Sequence, residues 1–424
     1  MKTVIAGNGI VALTAAFRLA QRGGEVAIIG PSARAGSATF AAAAMLNSFA
    51  ELDEDALATD VDRLKFELSR AATVRWDVLG ADLGGMAALG HGVGTYVIDD
   101  GDVAPILAAC LEYGEPHAIV DAREVPGYAP AHGVERAVRL DREGWIDPRR
   151  VVAALERALA AAPNVTVIDG TVERLRAAGG TITGALLSTG RVVTGTHYLA
   201  ANGASVSRLL DASDLGIRVQ RVVYGVGTSV EVRRAHPVCL RTPNRGVYLA
   251  PCGDGRTVIG ATNHVAFVPE PGDPEAPARL VRAAAAAFDG ALAGAEIARV
   301  NVGWRPISLD TYPLLGATSI TNLAIASGTR RDGFHLAPLI AEHLAALLHG
   351  EPIDQRLAVF APERAPLRTL TRGQAIAIAL RSGVIELEQV EDLERLHDDV
   401  GADTWGIPPE LLPVYRAGVT VGGS

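Results

Sequence analysis

The first twelve residues constrain the fold of this chain more than any other part of its sequence. Lys2–Ala6 is short and apolar, as expected of a buried β-strand. Gly7, Gly9 and Ala12 then follow with the spacing G-x-G-x-x-A. In such a motif the first glycine permits a tight turn, the second lets the backbone approach a pyrophosphate, and the third position packs a helix against the sheet. The segment predicts a dinucleotide-binding turn, and a tight turn without a ligand is the alternative.

The residues that follow complete a strand–turn–helix–strand unit but lack its usual acid. Apolar residues recur at steps of three and four from Ile10 to Ala20, which indicates a helix, and Glu25–Ile29 predicts a second buried strand. An acidic residue at the end of that strand normally binds the ribose, but Gly30 stands there. Arg34 lies just beyond, where an arginine can accommodate a 2′-phosphate. This half of the motif would therefore also suit an NADP-dependent enzyme.

Composition excludes several classes of protein. At about 100–200 residues per domain, a chain of 424 residues suggests two or three domains. A net charge of -9 argues against nucleic acid as the main partner. The three cysteines are widely spaced and predict neither a disulfide framework nor a metal site. The uncharged run Thr311–Thr329 contains proline and glycine and is not interpreted as a membrane span, and we expect a cytoplasmic protein without a signal peptide.

Further elements can be read from pattern alone. Leu57–Leu79 is typical of a long amphipathic helix, and Ala337–Leu348 predicts another. Asp147 can cap a third helix, with Pro148 at its first position. Asn322–Ala326 has the composition of a buried strand.

Several segments, taken in order, resemble landmarks of one family. They are Ala38–Leu46, Gly144–Pro148, Leu199–Gly203, Tyr248 with Gly260–Thr262, Gly303–Pro306, Tyr312–Gly316, Gly328–Gly333 and Ala337–Pro338. In order and spacing these segments resemble the D-amino-acid oxidase family of FAD-dependent oxidoreductases, and in particular its glycine oxidase branch. The resemblance extends from residue 1 to about residue 364 and favours FAD over NADP.

The resemblance implies an α/β fold with a discontinuous Rossmann-type FAD-binding domain made of residues 1–50, 140–215 and 301–365. A substrate domain with a mixed sheet would come from residues 51–139 and 216–300. The remaining residues, 366–424, are interpreted as a helical C-terminal extension. That extension would cover the pocket, extend an interface of a homo-oligomer, or do neither.

The resemblance also implies the chemistry. A hydride would pass from the α C–H of a carboxylate-bearing amine to flavin N5, water would hydrolyse the imine, and molecular oxygen would reoxidise the non-covalently bound FAD with release of peroxide. Arg305 would anchor the substrate carboxylate, because arginine forms bidentate charge-assisted bonds. Tyr248 would hydrogen-bond the same carboxylate, and Arg331 would lie near flavin and substrate.

Two sets of site residues follow from the resemblance, and no metal ligand is expected. The cofactor-binding residues would be Gly7, Asn8, Gly9, Ile10, Val11, Pro31, Ala38, Thr39, Ala43, Ala44, Met45, Val172, Ala201, Gly203, Arg305, Arg330, Arg331, Asp332, Gly333, Phe334 and His335. The additional substrate-binding residues would be Met45, Asn47, Gly246, Asn263 and Arg330. For His335, simple packing is as good an interpretation as catalysis.

Departures from the glycine oxidase pattern point to a different substrate. Gly246 stands where that branch has histidine, Asn263 where it has methionine, and Asn47 where it has glycine. These changes predict a more open and more polar pocket, with Arg330 available for a second carboxylate. Relatives that release a β-amino acid from an N-carboxymethyl precursor, for macrolactam antibiotic starter units, fit this pattern. The alternatives are a dehydrogenase with another electron acceptor, an NADP-dependent reductase, and a flavin-binding protein without catalysis.

Overall fold

A computed structural model describes residues 1–52, 56–99, 103–128, 134–234, 239, 241–245, 247–266, 268–288, 290 and 292–367. Gly246 and most of the expected C-terminal extension, from residue 368 onward, lie outside these described residues. The strands are β1 Lys2–Ala6, β2 Glu25–Gly30, β3 Met45–Leu46, β4 Gly92–Ile98, β5 His117–Asp121, β6 Arg136–Trp145, β7 Val165–Asp169, β8 Val172–Ala178, β9 Thr181–Leu187, β10 Val192–Val193, β11 His197–Ala200, β12 Val222–Arg233, β13 Thr242–Arg245, β14 Val247–Pro251, β15 Arg256–Gly260, β16 His264–Ala266, β17 Glu296–Ser308, β18 Leu314–Ala317 and β19 Leu323–Ser327. The helices are α1 Ile10–Gln21, α2 Ala38–Ala41, α3 Asp60–Asp82, α4 Ala104–Tyr113, α5 Pro148–Ala161, α6 Val206–Ser213, α7 Ala276–Ala287 and α8 Ala337–His349.

The first sheet is built around the N-terminal strand and has the order β18-β19-β11-β1-β2-β7. β1 pairs in parallel with both β2 and β11, and the antiparallel strand β18 closes one edge. This arrangement confirms the strand–turn–helix–strand unit predicted from the sequence. The carboxyl ends of parallel strands meet at one edge of a sheet, and in open α/β sheets that edge is where ligands bind.

Both faces of the first sheet are buried, which explains why its strands are apolar runs rather than alternating patterns. Ile5 and Ile28 face one side, where α1, α5 and α8 contribute to the same core. Val4 and Ile29 face the other side, against the antiparallel sheet formed by β8, β9 and β10.

The second sheet is mixed and larger, with the order β16-β12-β15-β14-β13-β4-β6-β3 and with β17 and β5 paired to β12 and β6. β12 and β17 form a long antiparallel pair. The α/β fold class with a mixed second sheet is therefore confirmed. β6 and β17 run across the expected domain limits at residues 140 and 301, and β3 joins this sheet from within residues 1–50. The proposed division into domains remains a prediction whose limits do not coincide with the ends of elements.

A buried ion network joins α5 to the second sheet. Asp147 caps α5 by accepting the N–H of Arg149, with Pro148 at the first helical position as expected. Arg256 on β15 lies 2.7 Å from the Asp147 carboxylate and 3.3 Å from that of Glu231, which also forms an ion pair with Arg149 at 2.5 Å. Burial opposes ionisation of Glu231, but its contacts with Arg149 and Arg256 outweigh burial and lower the pKa of its carboxyl.

Within the described ranges, none of the helices combines the length and the apolar character needed to cross a membrane.

Candidate functional site

One cavity of about 590 Å³ collects the residues singled out from the sequence. It begins at the turn between β1 and α1 and extends to β14 and β17 of the second sheet. Every expected cofactor, substrate and catalytic residue that the structure describes lines this cavity, and Gly246 is the exception because it lies outside the described residues. The structure therefore brings the predicted set together, while their individual roles stay predictions.

The turn after β1 has the geometry that a close backbone approach requires. Gly7 has φ +122°, and a Cβ atom there would lie 2.3 Å from the carbonyl oxygen of Ala201. No larger residue can occupy this position without displacing β11. Gly9 caps α1 without a side-chain hydrogen bond, and Thr39 accepts the N–H of Ile10 at 3.0 Å.

The missing ribose acid has a steric explanation. β2 spans Glu25–Gly30, which confirms the predicted second strand. A Cβ atom at residue 30 would lie 2.2 Å from the Asn8 side chain, which donates to the carbonyl oxygen of Pro31 at 3.0 Å. Asn8 therefore fills the space that an acidic side chain at residue 30 would need.

Arg34, the arginine that suggested NADP binding, contacts other side chains. Arg34 forms an ion pair with Glu156, and its guanidinium lies 5.2 Å from the centre of the Phe40 ring. Arg34 is also absent from the cavity lining. This arrangement removes the main sequence argument for a 2′-phosphate site.

At the opposite end of the cavity, Arg305 on β17 lies beside Tyr248 on β14. The Arg305 Nη1 atom donates to the carbonyl oxygen of Thr262 at 3.2 Å and to Asn263 Oδ1 at 3.0 Å. Burial lowers the pKa of the Arg305 guanidinium and raises the pKa of the Tyr248 hydroxyl. Arg305 keeps its charge at neutral pH, because the ordinary pKa of arginine is far above 7. Tyr248 stays protonated, because its ordinary pKa already lies above 7 and burial raises it further.

Two glycines that the sequence analysis did not single out make room for these side chains. A Cβ atom at Gly227 on β12 would lie 2.1 Å from Arg305 Nη1. A Cβ atom at Gly260 on β15 would lie 2.1 Å from the Tyr248 hydroxyl. The backbone at Gly227 and Gly260 thus forms a glycine cradle under the guanidinium and the phenol.

The segment from Arg330 to His335 forms another wall of the cavity. Arg330 has φ +50°, and its N–H donates to the carbonyl oxygen of Pro306 at 2.7 Å. Asp332 pairs with Lys65 of α3 at 2.8 Å. Burial opposes ionisation of Asp332, but Lys65 outweighs burial and lowers the pKa of its carboxyl.

His335 is engaged by helix α3. Its Nδ1 lies 3.3 Å from the Ser69 hydroxyl and its Nε2 lies 2.8 Å from the Thr73 hydroxyl, while its carbonyl oxygen accepts the indole N–H of Trp76 at 2.9 Å. Burial lowers the pKa of His335 to about 4, so the ring is neutral at neutral pH. These contacts favour packing over catalysis as the role of this side chain.

Sequence reasoning missed Glu51, which also lines the cavity. Burial raises the pKa of its carboxyl, and the positive charge of Arg331 opposes that effect. The segment before it is fixed by Glu143 on β6, whose carboxylate accepts the backbone N–H groups of Ser48, Phe49 and Ala50. The signal in the sequence was a single acid in the apolar run from residue 49 to residue 52.

Two further observations bear on the fit of FAD. The Oδ1 atom of Asn202, which lines the cavity, is buried and has no hydrogen-bond partner among the described residues. Cys110, Cys239 and Cys252 are buried free thiols, and none of them lines the cavity. The glycine turn, the small-residue walls from Ala41 to Ala44 and the length of the cavity fit a non-covalent flavin dinucleotide. Among the described residues, no cluster of His, Cys, Asp and Glu could hold a metal ion.

Comparison with known proteins gives a family match over most of the chain. The model of the family described as FAD dependent oxidoreductase matches residues 2–347. A bifunctional protein ThiO/ThiG from Nostoc sp. is 28% identical over 374 residues, which cover 84% of this chain and 54% of that protein. The chain thus spans about half the length of this relative. A glycine oxidase from Bacillus licheniformis is 25% identical over 400 residues, covering 85% of this chain and 97% of that enzyme.

Solved structures show the same fold. The crystal structure of iminodiacetate oxidase from Chelativorans sp. aligns with a TM-score of 0.73 at 23% identity, covering 86% of this chain and 100% of that one. A glycine oxidase from Bacillus cereus aligns with a TM-score of 0.73 at 23% identity, covering 87% of this chain and 99% of that one.

Proposed function

The chain belongs to the family of FAD-dependent oxidoreductases, and from this premise we propose that it oxidises a carboxylate-bearing amine larger than glycine. The proposed substrate class is a secondary amine with a carboxymethyl group on nitrogen and a second carboxylate, such as an N-carboxymethyl β-amino acid of secondary metabolism. The observation that carries the proposal is the pair of arginines, Arg305 and Arg331, in the cavity that also contains the glycine turn.

Arg305 is suited to hold the carboxymethyl carboxylate. Its Nη1 atom is fixed by Thr262 and Asn263, which leaves the guanidinium oriented before substrate arrives. Charge-assisted bonds to a carboxylate are about twice as strong as neutral ones, and a fixed partner loses little entropy on binding. Tyr248, which stays protonated, donates a second hydrogen bond to the same carboxylate.

Orientation is the main contribution of these residues. FAD, when bound, accepts the two electrons that leave the substrate C–H. The chain must therefore hold the carbon next to nitrogen at a fixed place, because a carboxylate anchored at one end defines where that carbon lies. No acid–base pair is required for an amine that reacts in its neutral form.

The polar residues around Arg305 favour a substrate larger than glycine. Asn263, where the glycine oxidase pattern has methionine, holds the guanidinium and is therefore part of the anchor. Arg330 and Arg331 lie on the same wall and bring two positive charges against the one carboxyl of Glu51, which leaves positive charge for a second carboxylate. The iminodiacetate oxidase among the structural neighbours is named for an amine with two carboxymethyl groups, which supports the same substrate class.

The electron acceptor separates the proposed oxidase from its nearest rival, a dehydrogenase. Purified protein with bound FAD would be supplied with glycine, sarcosine, iminodiacetate and N-carboxymethyl-β-alanine under air, with peroxide measured. We expect peroxide and a preference for the dicarboxylates. Flavin reduction without peroxide would indicate a dehydrogenase, and a strong preference for glycine would contradict the proposed substrate size.

Substitution Arg305→Ala tests the anchor. Loss of charged hydrogen bonds to the carboxylate should cost about 2–4 kcal/mol of transition-state binding, which lowers kcat/KM by roughly 30-fold to 1,000-fold. FAD content, measured from the flavin absorbance, controls for loss of the cofactor. Near-normal turnover in this variant would overturn the assignment of Arg305.

A further inference from the structure

We propose that Glu51 recognises the nitrogen of the substrate and thereby determines specificity for amines. The inference rests on the proposed function, because it assumes a substrate whose carboxylates are held by arginine. Glu51 would accept a hydrogen bond from the substrate N–H between the two carboxylate sites.

The local structure directs the Glu51 side chain into the cavity. Phe49, Ala50 and Leu52 are buried, whereas the Glu51 side chain is accessible from the cavity, whose walls withdraw its carboxyl from bulk solvent. An acid that faces a cavity from an otherwise apolar segment has no packing role there. Its exposure therefore calls for a different explanation.

The backbone that carries Glu51 is held firmly. The Glu143 carboxylate accepts three successive backbone N–H groups, from Ser48, Phe49 and Ala50, and the last of these bonds is 3.0 Å long. Asn47, at the start of the same segment, accepts a hydrogen bond from Thr95 at 3.3 Å. Glu51 is thus placed by a fixed backbone rather than by chance contacts of its own side chain.

The other acid that lines the cavity already has an ion-pair partner. Asp332 and Glu51 are the acids among the described lining residues, and Asp332 pairs with Lys65 at 2.8 Å. Glu51 has no ion pair within 4 Å among the described residues. Arg331, Asp332, Arg330 and Lys65 influence the charge of its carboxyl, with Arg331 the strongest favourable influence, and Arg305 also interacts with it.

The polar groups of the cavity complement those of the proposed substrate. Arg305, Arg330 and Arg331 line the cavity as positive groups, while the substrate brings two carboxylates and one N–H donor. The arginines suit the carboxylates, and Glu51 is the acceptor that complements the nitrogen. A ligand of the same shape without an N–H would leave Glu51 beside a neutral atom and would bind less well to the charged enzyme.

The test compares an amine with its ether counterpart on the enzyme with bound FAD. The amine is N-carboxymethyl-β-alanine, and the ether is 3-(carboxymethoxy)propanoate, which has both carboxylates but no N–H. Dissociation constants come from anaerobic flavin reduction for the amine and from flavin absorbance titration for the ether. In Glu51→Gln we expect the amine to bind about 10-fold to 100-fold more weakly, since hydrogen bonds to charged groups are lost, with the ether unchanged or tighter.

Two control variants accompany this experiment. Glu51→Asp keeps the charge and should recover part of the amine affinity. Glu25→Gln removes an exposed acid at the start of β2, outside the cavity lining, and should change neither constant.

The outcomes separate the two proposals. If Glu51→Gln weakens the binding of amine and ether equally, or changes the binding of neither, Glu51 does not recognise nitrogen. The inference is then wrong while the proposed function stands. If the unmodified enzyme binds neither ligand, the proposed function fails and the inference fails with it.

Discussion

A Cβ atom at residue 227 would lie 2.1 Å from Arg305 Nη1, so the backbone of β12 leaves no room for a side chain under the guanidinium. Substitution Gly227→Ala should therefore displace Arg305 from its contacts with Thr262 and Asn263. Because charged hydrogen bonds contribute about 1.5–3 kcal/mol, we expect carboxylate ligands to bind roughly 10-fold to 100-fold more weakly. The dissociation constant of a carboxylate ligand, measured by flavin absorbance, checks this expectation.

The same strand offers a matched control for Gly227. A Cβ atom at Gly225 would first meet the flexible end of Ile307, at 2.6 Å, rather than a guanidinium. Gly225→Ala should reduce stability but weaken ligand binding much less than Gly227→Ala. Equal losses of ligand affinity in the two variants would show that the cradle acts only through the stability of β12.

The buried His335 gives a pH-dependent contribution to stability at the same scale. Burial lowers its pKa from 6.5 to about 4, so the unfolded chain takes up a proton that the folded chain does not. The contribution of His335 to the free energy of unfolding is therefore intact above pH 6.5. It is lost as the pH falls towards 4, by up to about 1.4 kcal/mol per pH unit.

Substitution His335→Gln should accordingly flatten the fall of the melting temperature over this acid range, whatever its effect on absolute stability. Thermal unfolding between about pH 7 and pH 4.5 measures the slope. His349→Gln, in a histidine whose Nδ1 lies 2.9 Å from the carbonyl oxygen of Ala345 in its own helix, serves as the comparison. An unchanged slope in His335→Gln would contradict the prediction.

At the scale of elements, Glu143 on β6 fixes the segment that follows β3. Glutamine at this position can keep its carbonyl oxygen towards the N–H groups of Ser48 and Phe49, but its N–H₂ group would then face the N–H of Ala50. We expect hydrogen exchange of the Ala50 amide to accelerate by about tenfold or more, since a buried donor left without its acceptor costs about 1–3 kcal/mol. Glu115→Gln, in a nearby buried acid that pairs with Arg142, should leave exchange in this segment unchanged.

Local elements were predictable because their causes are local. β1, β2 and the cap of α5 at Asp147 follow from spacing and capping rules, and the structure confirms them. The predicted helix at residues 57–79 begins at Asp60 instead, because Thr59 and Asp62 form a capping box that the apolar pattern did not reveal. Contacts between distant segments, such as Glu143 with the backbone near residue 49, leave no periodic signal in the sequence.

At the scale of the whole molecule, Arg256 links the helix layer to the second sheet. Its removal in Arg256→Ala would leave the buried carboxylates of Asp147 and Glu231 short of a partner. Breaking a buried ion pair costs about 3–5 kcal/mol, so we expect a clear fall in the free energy of unfolding. Arg221→Ala removes an exposed pair with Asp211 and should cost less than about 1 kcal/mol. Similar losses in the two variants, measured by chemical denaturation, would argue against the network.

The cavity itself belongs to this largest scale, since its walls come from segments spread over more than three hundred positions. The ordered landmarks located those walls, which is why the expected residues meet in one place. The sequence could not show which charges share the cavity or which glycines make room for them. Glu51 and Gly227 were therefore missed, and Asn8 as the reason for Gly30 became visible only from the close contact between them.

The ion pair between Lys65 and Asp332 has a practical consequence, because Lys2 and Lys65 are the only lysines in the sequence. An amine-reactive reagent can acylate these two side chains and the amino terminus, and of these only Lys65 contacts a residue of the cavity wall. The rate at which Lys65 is acylated, followed by peptide mass spectrometry, would serve as a built-in reporter of ligand binding. Lys2 supplies the internal reference in the same sample.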